Sequence, residues 1–91
     1  AGSIFKNPSN KIAAGYLIDK AGLKGQSCGD AIISNKHANF IINIGNATAK
    51  DVSKLIILAK QKVLDLFNIN LELEIKLIGF PEKVIKEIYF A

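Results

Sequence analysis

Ser3 and Glu74, near opposite ends of the 91-residue sequence, carry groups able to move a proton. A serine hydroxyl is a weak acid. It donates only when held against the receiving atom with its conjugate base stabilised nearby. Outside such a setting it is an ordinary strand or cap hydroxyl. Glu74 lies in Leu71-Glu72-Leu73-Glu74-Ile75-Lys76-Leu77, where apolar and charged residues alternate without exception. As a strand this segment puts its leucines and Ile75 on one face and Glu72, Glu74 and Lys76 on the other. Solvated beside Lys76, Glu74 is a surface carboxylate. Lining a closed cleft, it would serve as an acid or a hydrogen-bond anchor.

Other candidates have plainer readings beside the chemical ones. Cys28 and His37 are a thiol and an imidazole, the residue types of a nucleophile and its base, but no third orienting group accompanies them. A lone cysteine near a strand is otherwise a small buried hydrophobe. Gly22-Leu23-Lys24-Gly25 matches the loop with which KH modules clamp a nucleic-acid backbone. That loop needs a helix directly after it, and Gln26-Ser27-Cys28-Gly29 is poor helix material. Asn39 and Asn43 sit in a strand-like run with Phe40 and Ile42, where their amides must bond either backbone or a ligand.

The elements that must position these groups follow from periodicity. Gly2 to Phe5 reads as a short strand, with Ser3 and Phe5 to one side and Ile4 and Lys6 to the other. Asn7-Pro8-Ser9-Asn10 is turn chemistry. Ala14, Leu17, Ile18 and Ala21 mark one face of a first helix of about three turns, ended by Gly22. Leu23 to Gly29 reads as loop. Ala31-Ile32-Ile33 and Phe40-Ile41-Ile42-Asn43-Ile44 read as two strands of a hairpin. Thr48 and Asp51 have capping-box spacing. Val52, Leu55, Ile56, Ala59, Val63, Leu66 and Phe67 then mark the apolar face of a long second helix. Gly79, Phe80 and Pro81 break the last strand, and Glu82 to Phe90 form a final helical turn or two. The order β-α-β-β-α-β, with two amphipathic helices against one sheet, predicts an α+β two-layer sandwich forming one domain over residues 1–91. That order alone leaves function open.

Composition narrows the classes. The chain is 49% hydrophobic and 22% charged, which is globular, and no apolar run approaches a membrane span. One cysteine and one histidine exclude a disulfide framework and the common zinc motifs. Ala1 to Lys6 lacks the basic start and apolar run of a signal peptide, so the expected location is the cytoplasm. The net charge of +4 raises nucleic acid as a partner, and the runner-up reading is a small basic RNA-binding module using Gly22 to Gly25. All 12 basic residues are lysines, which disfavours that reading because arginine makes the bidentate phosphate and base contacts. A bare interaction domain is the third.

Taken in order, the motifs resemble a family. Gly2-Ser3-Ile4-Phe5-Lys6-Asn7-Pro8, Ala13-Ala14-Gly15-Tyr16-Leu17-Ile18-Asp19, Ala21-Gly22-Leu23-Lys24-Gly25, Ser34-Asn35-Lys36-His37-Ala38-Asn39-Phe40-Ile41-Ile42-Asn43 and Leu71-Glu72-Leu73-Glu74-Ile75-Lys76-Leu77-Ile78-Gly79 are similar to the conserved blocks of the UDP-N-acetylenolpyruvoylglucosamine reductases. The resemblance implies the C-terminal substrate-binding domain of an FAD-dependent, NADPH-using oxidoreductase of cytoplasmic peptidoglycan synthesis. It implies that Ser3 is the general acid protonating the carbon beside the substrate carboxylate, and that Glu74 assists at the enolpyruvyl group. It implies Asn7 as a contact to the phosphate-bearing part of the UDP-sugar and His37 as a further substrate contact; Lys6 is a phosphate partner by charge. The spacing after Pro8 matches the family's short-loop subtype. Leu73 stands where the family has proline, and Asp30 where a second glycine is common. No glycine-rich flavin segment is present, and the family places its flavin-binding domain ahead of the serine motif. The expectation is a chain that binds neither FAD nor NADPH alone, is inactive in isolation, partners the missing flavin domain, and engages no nucleic acid, membrane or metal.

Overall fold

The structure, a computed structural model, describes residues 2–74. The sequence expectations for Ile75 to Leu77, for the break at Gly79 to Pro81 and for a helix over Glu82 to Phe90 lie outside the described residues. The elements run β1 (Gly2–Ser3), α1 (Ala14–Lys20), β2 (Ser27–Cys28), β3 (Ala31–Ile33), β4 (Phe40–Asn43) and α2 (Ala49–Phe67). The strands form one antiparallel sheet in the order β1-β4-β3-β2. Segment 71–74 adds a rung beyond β1 through an antiparallel bridge of Phe5 to Leu73. The Lys6 N–H donates to the Glu72 carbonyl and the Glu74 N–H to the Ile4 carbonyl, each at 2.8 Å. Two helices on an antiparallel sheet are the α+β arrangement that the hydrophobic periods predict.

α2 forms because a capping box starts it and an apolar stripe holds it. Thr48 Oγ1 accepts from the Asp51 N–H, and the Asp51 carboxylate accepts from the Thr48 N–H, each at 3.1 Å. Two otherwise orphaned donors are satisfied reciprocally. Val52, Leu55, Ile56, Ala59 and Val63 are buried against the sheet. Leu66 and Phe67, expected on that face, are exposed, because the last turn of α2 overhangs the core beyond Val63. Asn68 closes the helix in the left-handed region at φ 55°.

α1 has seven residues rather than three turns. Ser9 Oγ accepts from the Lys11 and Ile12 N–H groups, and this turn occupies the residues that would have formed the first helical turn. At the other end, the Gly22 N–H donates to Asp19 and the Leu23 N–H to Ile18, the paired bonds of a Schellman stop. Gly22 adopts φ 78°, and Leu23 turns back into the core.

β2, read from sequence as loop, is an edge strand. Cys28 pairs with Ala31, so Gly29 and Asp30 make a two-residue hairpin turn, and Gly29 supplies the positive φ of 56° that such a turn needs. A Cβ at Gly29 would meet the Asp51 carboxylate oxygen at 2.5 Å, so the turn also lies hard against the α2 cap.

The alternation expected for residues 3–6 breaks at one point. Ile4 and Phe5 are both buried, each 2% exposed. The ladder between the first strand and β4 ends with the Ile4 N–H donating to Asn39 O. At Phe5 the Asn39 side chain takes over: Oδ1 accepts the Phe5 N–H at 3.0 Å and Nδ2 donates to the Phe5 carbonyl at 2.8 Å. The chain thereby leaves β4 without stranding its polar groups and pairs with segment 71–74 instead.

Two stability predictions follow from these contacts. Thr48→Ala should lower unfolding free energy by about 1 kcal/mol in denaturant titration. Asn39→Leu, which removes both partners of a buried peptide, should cost about 2–3 kcal/mol, clearly more than the cap variant.

Candidate functional site

Ser3 lies at the end of β1, paired with Phe40 of β4, and is half-buried. Among the described residues nothing bonds its hydroxyl. It opens onto a cleft of about 350 Å³ between the sheet end, the link from β3 to β4, and the outer face of α1. Asn7 and His37 line the same cleft, so three of the five residues singled out from sequence converge.

Asn7 is held in a defined orientation. Its Oδ1 accepts the Ala14 N–H at 3.0 Å, capping the start of α1 from seven residues upstream. The acceptor is thereby committed, and the Nδ2 group is the part left to donate to a ligand. His37 is exposed and tilted against Phe40, with ring centroids 5.3 Å apart. The link carrying it is built on buried Ser34, whose Oγ accepts the N–H groups of both Lys36 and His37. The Phe40 N–H closes the turn on the His37 carbonyl.

The remaining two residues lie elsewhere. Lys6 lines a smaller neighbouring pocket of about 180 Å³ with Pro8, Asn70 and Glu72; Asn7 is shared between the two. Glu74 is not among the residues lining the larger cleft. It is half-buried, tied by its N–H to the Ile4 carbonyl one residue from Ser3. Glu72, on the same expected face, is exposed.

The cleft includes residues to which the family resemblance assigned no role. Lys24 and Lys36 bring positive charge, Asp19 a negative charge, and Tyr16 an exposed ring. Lys24 pairs with Asp19 at 3.4 Å, an exposed contact worth little by itself. The signal for Lys24 and Lys36 was their place inside the same blocks as Gly22 and His37. The resulting donor set of hydroxyl, amide, imidazole and two ammonium groups suits an oxygen-rich anionic ligand.

Several alternative readings lose their geometry. Gly22 to Gly25 is followed by β2, not by the helix a KH clamp requires, and the Gly25 N–H is bonded to the Ile33 carbonyl. Cys28 sits half-buried on the edge strand, its Sγ 4.0 Å from Asp51 Oδ1, while His37 faces Phe40 in the cleft. The two make no nucleophile–base pair. Asn39 and Asn43 bond backbone: Asn43 Oδ1 accepts the Gly45 and Ala47 N–H groups. Asp30 completes the β2–β3 turn, its carboxylate accepting the Asn46 N–H at 2.8 Å, and it does not line the cleft. Among the described residues no three His, Cys, Asp or Glu side chains gather to hold a metal, and no helix is long and apolar enough to cross a membrane.

Comparison with known proteins agrees with these blocks. The sequence profile described as UDP-N-acetylenolpyruvoylglucosamine reductase, C-terminal domain, matches residues 1–78. The reductase of that name from Chloroherpeton thalassium is 61% identical over 90 residues, covering 93% of this chain and 29% of its own length. That of Caldicellulosiruptor bescii is 58% identical over 79 residues, covering 87% and 25%. The crystal structure of the Thermus caldophilus reductase superposes with a TM-score of 0.65 at 46% identity, covering 84% of this chain and 26% of that one. The chain thus spans between a quarter and a third of the length of these relatives. From residue 1 to residue 78 the chain belongs to the UDP-N-acetylenolpyruvoylglucosamine reductase family, as its C-terminal domain.

Proposed function

We propose that this chain is the substrate-binding and proton-donating part of a cytoplasmic oxidoreductase that reduces UDP-N-acetylglucosamine-enolpyruvate to UDP-N-acetylmuramate for peptidoglycan synthesis. The observation that carries the reading is the convergence of Ser3, Asn7 and His37 on one cleft within a chain of this family.

The reaction adds a hydride and a proton across the enolpyruvyl double bond. Bound FAD, reduced by NADPH, would supply the hydride to the methylene carbon. The donor set of the cleft suits a sugar phosphate, and among the described residues no glycine-rich loop opens a helix to cradle a dinucleotide. In this reading the flavin is held by a part of the protein beyond these residues, which the match to the family's C-terminal domain supports. What this chain supplies is the other half. As the double bond breaks, electron density builds on the carbon beside the carboxylate, and the Ser3 Oγ–H passes its proton there. A serine acts as an acid only against such a strong developing base, so positioning carries the catalysis. The place of Ser3 at the end of β1, paired with Phe40 and opening onto the cleft, supports this role.

Glu74 assists at the enolpyruvyl group, brought within one residue of Ser3 by the rung to Ile4. Asn7 offers its Nδ2 group to a phosphate oxygen, His37 binds at the cleft mouth, and Lys6 reaches the phosphates from the adjoining pocket.

In the complete flavin-loaded protein, Ser3→Ala should leave flavin reduction by NADPH nearly unchanged. It should slow flavin reoxidation by the enolpyruvyl substrate by about a hundredfold or more. Equal loss in both half-reactions would remove the proton-donor role. Glu74→Gln should slow the same half-reaction; unchanged turnover would return Glu74 to the solvated strand face. Flavin absorbance co-purifying with the 91-residue chain alone would contradict the placement of the cofactor outside it.

A further inference from the structure

We propose that Asn39 is a positioning residue for proton delivery, its carboxamide clamping the backbone of Phe5 so that Ser3 is held in place at the cleft. This rests on the reductase reading above and adds to it the side chain through which the donor is aimed.

The first strand does not run straight past Asn39. Gly2 and Ser3 pair with Ile41 and Phe40, and the Ile4 N–H donates to the Asn39 carbonyl at 2.9 Å. The Ile4 carbonyl serves the other side and accepts the Glu74 N–H at 2.8 Å. In a regular antiparallel ladder both polar groups of one residue serve the same neighbour. At Ile4 they serve two, so the backbone turns over there, one residue after Ser3. The same turn puts Ile4 and Phe5 both into the core. Holding it requires partners for the N–H and carbonyl of Phe5. The backbone beside β4 does not provide them, because at Asn39 it departs into the link that carries His37. The Asn39 carboxamide does: Oδ1 accepts the Phe5 N–H at 3.0 Å and Nδ2 donates to the Phe5 carbonyl at 2.8 Å.

The clamp has little freedom of its own. Two bonds to one residue fix the plane of the carboxamide. α1 passes over it at Gly15, where a Cβ would stand 3.6 Å from the Asn39 Cβ. Asn39 also lines the cleft, but its Oδ1 and one Nδ2 hydrogen are spent on Phe5. β1 is only two residues long, too short to fix Ser3 by strand pairing alone. Proton transfer needs heavy atoms within about 2.6–3.2 Å, and a misplacement of about 1 Å costs about a hundredfold in rate. A clamp two residues from the donor is therefore felt at the donor.

The test uses the complete flavin-loaded protein. Asn39→Leu removes both bonds. Asn39→Asp keeps an acceptor for the Phe5 N–H but turns an oxygen to the Phe5 carbonyl, and it carries the test where the leucine variant does not fold. Three quantities are measured: flavin reduction by NADPH, flavin reoxidation by saturating enolpyruvyl substrate, and the Kd of that substrate for the oxidised protein, read from the shift in flavin absorbance. Each variant should slow reoxidation at least about tenfold, while NADPH reduction and Kd stay within about threefold. Loss of fold alone would lower both half-reactions together. Each variant is then combined with Ser3→Ala. In that background the Asn39 substitutions should change reoxidation by about twofold or less, because a residue acting through Ser3 has nothing left to place. Four results would each overturn the proposal: reoxidation at the unsubstituted rate, equal loss in both half-reactions, a rise in Kd that matches the rate loss, as a direct substrate contact would give, or a further loss of about tenfold in the Ser3→Ala background. The two readings fail differently. Unchanged reoxidation in Ser3→Ala sinks the reductase reading itself, whereas selective slowing by Ser3→Ala with additive Asn39 effects sinks only the positioning role.

Discussion

The placement of Ser3 depends on one side chain, the amide of Asn39. A strand that pairs with β4 and then turns to pair with segment 71–74 must pass a point where its peptide faces neither partner's backbone. At Phe5 the Asn39 amide fills that gap with one accepted and one donated bond. A buried peptide left unpaired costs several kilocalories per mole in total, roughly the margin by which a small domain is stable. With the gap filled, Ile4 and Phe5 can both enter the core, Ser3 is fixed one step earlier against Phe40, and Glu74 is fixed one step later against Ile4. This hand-over between strands sets the Glu74 backbone against the residue next to Ser3, although the two are far apart in sequence.

The rest of the molecule serves that arrangement from one side. α2 fills the helix-facing side of the sheet, and its capping box abuts the Gly29 turn, which ties the edge strand to the helix start. α1 is short, yet its N-terminal N–H is capped by Asn7, so the residue that orients a helix also presents an amide donor to the cleft. The cleft is consequently bounded by elements that are each fixed by a local polar bond: Asn7 to Ala14, Ser34 to the His37 link, Asn39 to Phe5. A site assembled this way needs little rearrangement to bind, and in the proposed reading it serves the proton-donating half of the reaction.

Much of this was legible in the sequence, for physical reasons that differ by element. The face of α2 and its capping box were readable because a 3.6-residue period and a cap spacing are local. The Gly22 stop was equally local. β2 was hidden because two residues carry no period, although the Gly29-Asp30 pair was a usable hairpin sign. The double burial of Ile4 and Phe5 was invisible, since it depends on a partner amide 34 positions away. Ser3 and Glu74 read as ordinary polar residues until ordered blocks tied them to a family; no composition or period distinguishes a serine that donates from one that does not. Lys24 and Lys36 joined the cleft only through tertiary placement.

The central claim is that the Ser3 side chain delivers the proton. Replacing its hydroxyl by another proton-bearing group tests this most directly, since a purely steric or packing role would not recognise the difference. Stopped-flow reoxidation of the reduced flavin by enolpyruvyl substrate, measured for Ser3→Cys and Ser3→Ala side by side, supplies the comparison. The account predicts that the thiol variant retains a rate well above that of the alanine variant. Indistinguishable rates for the two would contradict it.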